Sequence, residues 1–185
     1  MSAHIIDGKA IAADLRARTA FHAKALPQPP GLAAILIGDD PASAVYVAGK
    51  VKACAEVGFL SSVHRLPAST TEAELFDLIE TLNQDSKVSG ILLQLPLPPE
   101  LDARQFICMI DSQKDVDGLS PVNYGLLAAG LPAAVPCTPL GCLYLIRTVT
   151  TDLQGKRALV LGRSTLVGKP MAELLVQQDC TVTVA

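Results

Sequence analysis

Arg157-Ala158-Leu159-Val160-Leu161-Gly162-Arg163-Ser164-Thr165-Leu166-Val167-Gly168-Lys169-Pro170 carries an apolar run into a glycine, then a short polar turn, then the opening of a helical pattern. In a strand, tight turn and helix N-terminus of this kind, free N–H groups and the helix dipole face an anion such as a pyrophosphate. The spacing predicts a strand over 157–162, a helix over 166–178 and a second strand over 180–185, a β-α-β unit. The usual dinucleotide fingerprint, G-x-G-x-x-G, is approached and not met. Ser164 stands at the second glycine and Gly168 falls one place late. The competing reading is a plain βα turn in a packed sheet.

Working outward, the same alternation fills the chain. A helix over 8–25, with Ile11, Ala12 and Leu15 on one face, is broken by Pro27-Gln28-Pro29-Pro30-Gly31. A strand over 32–37 and a helix over 42–57 follow, the helix stopped by Gly58. Then come a strand over 62–66, a helix over 72–83 opened by Ser69-Thr70-Thr71-Glu72, and a strand over 90–95 that runs into Pro96-Leu97-Pro98-Pro99. A helix over 102–110, a polar loop over 111–121, a short helix over 123–129 and a helix from Thr138 or Pro139 to 150 complete the pattern. Strands alternating with helices imply parallel βαβ units with right-handed crossovers. The expected fold class is therefore α/β. Residues 1–140 form a three-layer α/β domain with a mostly parallel sheet. Residues 141–185 form a linking helix and the β-α-β start of a Rossmann-like domain. The first half of a doubly wound fold normally has three strands, so a chain closing on an apolar strand reads as ending within that domain.

Composition narrows the class. Half of the 185 residues are hydrophobic and 18% are charged, which suits a packed core rather than disorder. With no Trp, three Tyr and four Phe, that core must be aliphatic, as in helices packed on a parallel sheet. A net charge of −3 leaves no basic stripe for nucleic acid. No apolar run reaches the roughly 18–20 residues of a membrane span. Met1-Ser2-Ala3-His4-Ile5-Ile6-Asp7 lacks the basic-then-apolar layout of a signal peptide. The five cysteines, Cys54, Cys108, Cys137, Cys142 and Cys180, include no CxxC pair. They read as reduced, mostly buried thiols of a cytoplasmic protein, with no metal site.

Four further stretches could carry chemistry. In Tyr46-Val47-Ala48-Gly49-Lys50, the tyrosine and lysine at i and i+4 share a helix face at roughly 5–6 Å between Cβ atoms. A lysine held out of bulk water is a plausible acid/base because burial lowers a lysine pKa, although most such pairs are ordinary surface neighbours. Gln94, within Leu93-Gln94-Leu95-Pro96, sits at the carboxyl end of a strand, where ligands of open parallel sheets bind. It could hydrogen-bond a lysine or a substrate carbonyl; the alternative is an amide tied to backbone. Lys114-Asp115-Val116-Asp117-Gly118 offers a carboxylate able to accept two parallel hydrogen bonds from a fork of N–H donors such as a 2-amino-pyrimidinone ring. Its rivals are a calcium loop, for which the other ligands are missing, and a solvated acidic turn. Val135-Pro136-Cys137-Thr138-Pro139 is a rigid crossing into a helix. Cys137 could be a nucleophile, but His4, His22 and His64 are all remote in the chain, so the structural reading is preferred.

Taken in order, Asp7-Gly8-Lys9, Gly38-Asp39-Asp40-Pro41-Ala42-Ser43, Tyr46 to Lys50, Gly90 to Pro98, Lys114 to Gly118, Pro136 to Pro139 and Gly162 to Pro170 resemble the bifunctional methylenetetrahydrofolate dehydrogenase/methenyltetrahydrofolate cyclohydrolase family along the whole chain. The resemblance implies a catalytic domain and an NAD(P) domain with the folate between them. It implies oxidation of the methylene form with NADP, NAD being possible, and hydrolysis of the methenyl form. Tyr46 would orient the substrate, Lys50 would be the central acid/base, Gln94 would hydrogen-bond it and Asp117 would grip the pterin. Val47, Ala48, Gly49, Leu93, Leu95 and Pro96 would line the substrate. Gly162, Arg163, Ser164, Val167, Gly168 and Pro170 would meet the dinucleotide. A cytoplasmic homodimer without nucleic-acid or membrane partners is implied as well. The family's nucleotide domain runs on beyond the equivalent of Ala185, so a folate-binding fragment without a working cofactor site is the alternative expectation. A generic Rossmann dehydrogenase gives no account of Tyr46, Lys50, Gln94 and Asp117 together.

Overall fold

The computed structural model describes residues 5–185, so the sequence reading over Met1 to His4 lies outside them. The elements run α1 (Gly8–Ala23), β1 (Gly31–Ile37), α2 (Pro41–Val57), β2 (Leu60–Leu66), α3 (Glu72–Gln84), β3 (Gly90–Leu93), α4 (Ala103–Met109), α5 (Pro121–Ala128), α6 (Cys137–Val149), β4 (Arg157–Val160), α7 (Gly168–Val176) and β5 (Thr181–Val184). The chain divides into two compact units, residues 10–116 and residues 117–185 with the short segment ahead of Ala10.

The first unit is organised around β1. Its apolar run is paired in parallel on both sides, in the order β2-β1-β3, with Gly31 opposite Leu60 and Leu32 opposite Gly90. Side chains of a strand alternate between faces, and β1 uses both. Ala33, Ile35 and Ile37 pack with Leu75, Ile79 and Leu82 of α3 and Phe106 of α4. Ala34 and Leu36 pack with Val47 of α2 and Leu92 of β3. The result is the expected three layers, with a continuous apolar strand at the centre.

Local chemistry sets the helix ends. The carboxylate of Asp40 accepts from the Ser43 N–H at the start of α2, Pro41 fills the first turn, and Gly58 ends the helix at φ 81°. Thr71 and Glu74 form a reciprocal capping box on α3.

Three expectations need correction. α1 forms, but it buries no residue, and Leu15 remains 46% exposed on the face expected to point inward. An amphipathic stripe is buried only if a second element covers it; a surface ion pair, Arg16 to Glu56 at 3.2 Å, links α1 to α2. The third strand stops at Leu93, not residue 95. Gln94 still donates its N–H to the Ile35 carbonyl at 2.9 Å, but Pro96 has no N–H to continue the ladder. The cysteines are not mostly buried. Only Cys54 is; Cys108 on α4 and Cys137 and Cys142 on α6 face solvent, because Phe106 and Leu143 take the inward positions of those helices.

In the second unit, β4 and β5 pair in parallel, from Arg157 opposite Thr181 to Val160 opposite Val184, with α7 as the crossover. Leu174, Leu175 and Met171 of α7 pack with Leu127, Leu143 and Leu153, and Ala158, Val160 and Val182 lean on this cluster. Leu159, on the alternate face of β4, is 62% exposed. This is the expected β-α-β unit.

Candidate functional site

α2 presents the first group of candidate site residues. Val47 is buried against β1 and β3, which sets the rotation of the helix. Tyr46 is then 67% exposed, Ala48 and Gly49 face solvent, and Lys50 is half-buried. The Tyr46 ring is thus open rather than packed. Lys50 Nζ donates to Gln94 Oε1 at 3.4 Å. Gln94 Nε2 donates to the carbonyl of Leu95 at 2.7 Å. Pinning the donor end of the amide to backbone aims its oxygen at the lysine. Both readings of Gln94, backbone-tied and lysine-bonded, therefore hold at once. The pair sits where β1 and β3 end, next to the buried Leu93, the half-buried Leu95 and the exposed Pro96; the Leu95–Pro96 bond is cis. The amide is neutral, so it orients the lysine through a hydrogen bond rather than an ion pair.

Asp40, which caps the same helix, has its carboxyl held below the ordinary value of 3.8 by hydrogen bonds from the backbone and side chain of Ser43. Its charge stands at the N-terminus of α2, where the helix dipole favours it.

Asp115 and Asp117 have different environments. Asp115 is buried and forms a parallel bridge with Ile91, while the Ile91 N–H bonds to the Lys114 carbonyl at 2.7 Å. It belongs to the sheet rather than to a solvated turn. Asp117 is half-buried, and Gly118 follows it at φ 63°, where an added Cβ would stand 2.4 Å from the Ala134 carbonyl oxygen. Among the described residues, no three His, Cys, Asp or Glu side chains gather as a metal would require.

Lys114 has a place that sequence reasoning missed. Its Nζ donates to the carbonyls of Leu82 at 3.0 Å, Asn83 at 2.6 Å and Asp85 at 2.8 Å, at the C-terminus of α3. Asn83 Nδ2 donates to the Met109 carbonyl at 2.8 Å, and its Oδ1 accepts the Asp111 N–H at 2.9 Å. The available signal was an absence: α3 carries no basic residue in its last turn.

In the second unit, β4 ends before Gly162, which adopts φ 112°. The Ser164 hydroxyl accepts the N–H groups of Val167 at 3.2 Å and Gly168 at 3.3 Å. It thereby caps α7, whose N-cap residue Val167 makes no side-chain cap bond. An added Cβ on Gly168 would lie 2.1 Å from the Gly162 carbonyl oxygen. The late glycine therefore does the job of close helix-to-strand packing. Gly162, Arg163, Ser164 and Val167 are exposed, while Gly168 and Pro170 are buried beneath the turn. Cys137 is the exposed first residue of α6.

A parallel three-layer α/β unit with a lysine–amide pair at its strand ends, and a second unit with a glycine-tight βα turn, define a two-unit α/β protein with a Rossmann-like second part. The family model described as the tetrahydrofolate dehydrogenase/cyclohydrolase catalytic domain matches residues 6–117, and that of the NAD(P)-binding domain of the same proteins matches residues 136–185. The chain belongs to the tetrahydrofolate dehydrogenase/cyclohydrolase family. It is 54% identical over 189 residues to the bifunctional protein FolD of Phenylobacterium zucineum (strain HLK1), covering 100% of this chain and 64% of that one. It is 55% identical over 188 residues to FolD of Sphingopyxis alaskensis (strain DSM 13593 / LMG 18877 / RB2256), covering 99% and 62%. The crystal structure of the bifunctional enzyme FolD from Campylobacter jejuni superposes with a TM-score of 0.94 at 43% identity, over 98% of this chain and 66% of that one. That of the Trypanosoma brucei enzyme complexed with NADP cofactor and inhibitor gives 0.95 at 36%, over 100% and 65%. The chain thus spans a little under two thirds of the length of the curated relatives it matches.

Proposed function

We propose that the protein oxidises 5,10-methylenetetrahydrofolate to the methenyl form with NADP and hydrolyses the methenyl form to 10-formyltetrahydrofolate, in the cytoplasm and as a homodimer. This would place it in one-carbon metabolism, with purine and amino-acid biosynthesis as the consumers of its products. The single observation that carries the reading is the bond from Lys50 Nζ to Gln94 Oε1 at the strand ends, in a chain of this family. Hydrolysis adds water to the cationic methenyl carbon and opens one C–N bond. That needs a group able to take a proton from the water and return one to the departing nitrogen. Lys50 serves as that group and Gln94 holds it in place. Tyr46, open at the same helix face, orients the folate. Val47, Ala48, Gly49, Leu93, Leu95 and Pro96 line it. Asp117 accepts the paired N–H donors of the pterin.

NADP, or less often NAD, supplies the hydride acceptor when bound. The turn fits such a group. Gly162 has no side chain to block a close approach, Arg163 and Ser164 lie exposed beside it, and Gly168 and Pro170 support it from below. Ser164 and Val167 shape the turn through the hydroxyl-to-N–H bond. We take the division between folate and cofactor parts to lie at residues 1–140 and 141–185. The start of the NAD(P)-binding match at residue 136 supports this.

Lys50→Met tests the reading. Loss of a general acid/base predicts a fall in cyclohydrolase rate of about 10²- to 10⁴-fold, with tetrahydrofolate affinity retained. Normal hydrolysis in that variant would remove Lys50 from the mechanism. Calorimetry with NADP and with tetrahydrofolate separates the bifunctional enzyme from a folate-binding module, which would take up only the folate.

A further inference from the structure

Lys114 and Asn83 tie three separate segments together within the first unit. The last-turn carbonyls of a helix have no partner inside the helix and sit at the negative end of its dipole. α3 has no basic residue of its own there. Lys114 supplies the missing cation from 29 to 32 residues away, on the carbonyls of Leu82, Asn83 and Asp85. Asn83 closes the clasp by holding the end of α4 through the Met109 carbonyl and the following turn through the Asp111 N–H. Within that turn, the N–H groups of Lys114 and Asp115 both bond to the Asp111 carbonyl, at 2.7 and 2.9 Å. The segment then runs beside β3, where Ile91 bonds to the Lys114 carbonyl and Val116 lies over Gly90, so close that a Cβ on Gly90 would meet Val116 Cγ1 at 2.2 Å. Asp111, Lys114, Asp115 and Val116 are each referenced to α3 or β3, and Asp117, the first residue of the second unit, is the next along.

We infer that Lys114, with Asn83, is a positioning residue that sets where the chain delivers the Asp117 carboxylate for the two N–H donors of the pterin. The inference rests on the folate reading of Asp117. A carboxylate that accepts two parallel hydrogen bonds loses both when it is displaced or rotated, whereas a single bond tolerates such movement. Losing hydrogen bonds to a charged group weakens binding on the order of 10- to 100-fold. A lysine that merely stabilised α3 would lower the melting temperature without singling out the folate.

The test is a double-mutant cycle in tetrahydrofolate affinity, measured by calorimetry on the full chain, with NADP affinity and melting temperature recorded for each variant. Asp117→Asn and Lys114→Met are each expected to weaken tetrahydrofolate on the order of 10- to 100-fold. Lys114→Met in the Asp117→Asn background should add little, and NADP affinity should be unchanged in all. Asn83→Ala leaves the core in place and reads the same coupling if Lys114→Met does not fold. Its weakening of tetrahydrofolate should likewise vanish without Asp117. Full, additive losses in the Asp117→Asn background, or unchanged tetrahydrofolate affinity in Lys114→Met and Asn83→Ala, would overturn the inference while leaving the folate site intact. Unchanged affinity in Asp117→Asn itself would overturn the underlying reading of that residue, and the inference with it.

Discussion

Gly168→Ala places a methyl group where the structure has none to spare. The new Cβ would stand 2.1 Å from the Gly162 carbonyl oxygen, 2.6 Å from its carbon and 2.8 Å from the Arg163 nitrogen. All three are backbone atoms at the end of β4, so no side-chain rotation relieves the contact. Bringing the closest of them out to 3.0 Å requires 3.0 − 2.1 = 0.9 Å of movement between the strand end and the start of α7. Overpacking of this kind costs about 1–3 kcal/mol. The cost falls on the turn proposed to receive the dinucleotide. If it is exacted on the bound geometry, NADP affinity drops about 5- to 150-fold. If the turn relaxes before binding, the same amount appears as lower stability of the second unit. Tetrahydrofolate affinity, proposed to depend on Tyr46, Lys50, Gln94 and Asp117, none of which lies among the atoms the new methyl would meet, should not change. Gly141→Ala is the control. It lies in α6 with no heavy atom within 4 Å of the added Cβ, and alanine inside a helix should stabilise by about 0.5–1 kcal/mol. Calorimetry with both ligands and a thermal melt of each variant measure these outcomes. Unchanged NADP affinity together with an unchanged melt in Gly168→Ala would refute the argument, because a 2.1 Å contact between backbone and Cβ cannot be absorbed for nothing.

Two other perturbations address the first unit. Gln94→Glu puts a carboxylate 3.4 Å from Lys50 Nζ and favours the charged lysine; the cyclohydrolase pH–rate profile should move to higher pH, and a profile superposable on wild type would contradict the Lys50–Gln94 pairing. Asp40 has a depressed folded-state pKa, so its capping contribution is present above its ordinary value of 3.8 and is lost as pH falls through the lower folded value. Helical circular dichroism should show Asp40→Asn losing less stability than wild type across that acidic window; equal pH dependence would mean the cap contributes nothing to acid unfolding.

How much of this was legible in the sequence depends on the kind of contact involved. The strand and helix alternation was readable because burial on both faces of β1 forces an unbroken apolar run, and the cap of α3 at Thr71 uses a residue type favoured at that position. Gln94 was readable as a candidate because a polar amide at the end of an apolar strand needs a partner. That Lys50, 44 residues earlier, supplies the bond follows only once β1 and β3 are paired. Gly168 looked like a misplaced fingerprint glycine, since the fingerprint counts residues, whereas the structure requires only that some Cβ-free residue reach the Gly162 carbonyl. Periodicity marked the inward stripe of α1 but carries no information on what covers it, hence the exposed Leu15. The clasp was the least legible. A salt bridge leaves two complementary side chains in a sequence; Lys114 bonds to main-chain carbonyls, which every residue has. No pairing of residue types could announce it. For the same reason, substitutions at Leu82 or Asp85 that preserve the helix should leave those bonds standing, whereas at Lys114 and Asn83 the side chains themselves make the clasp.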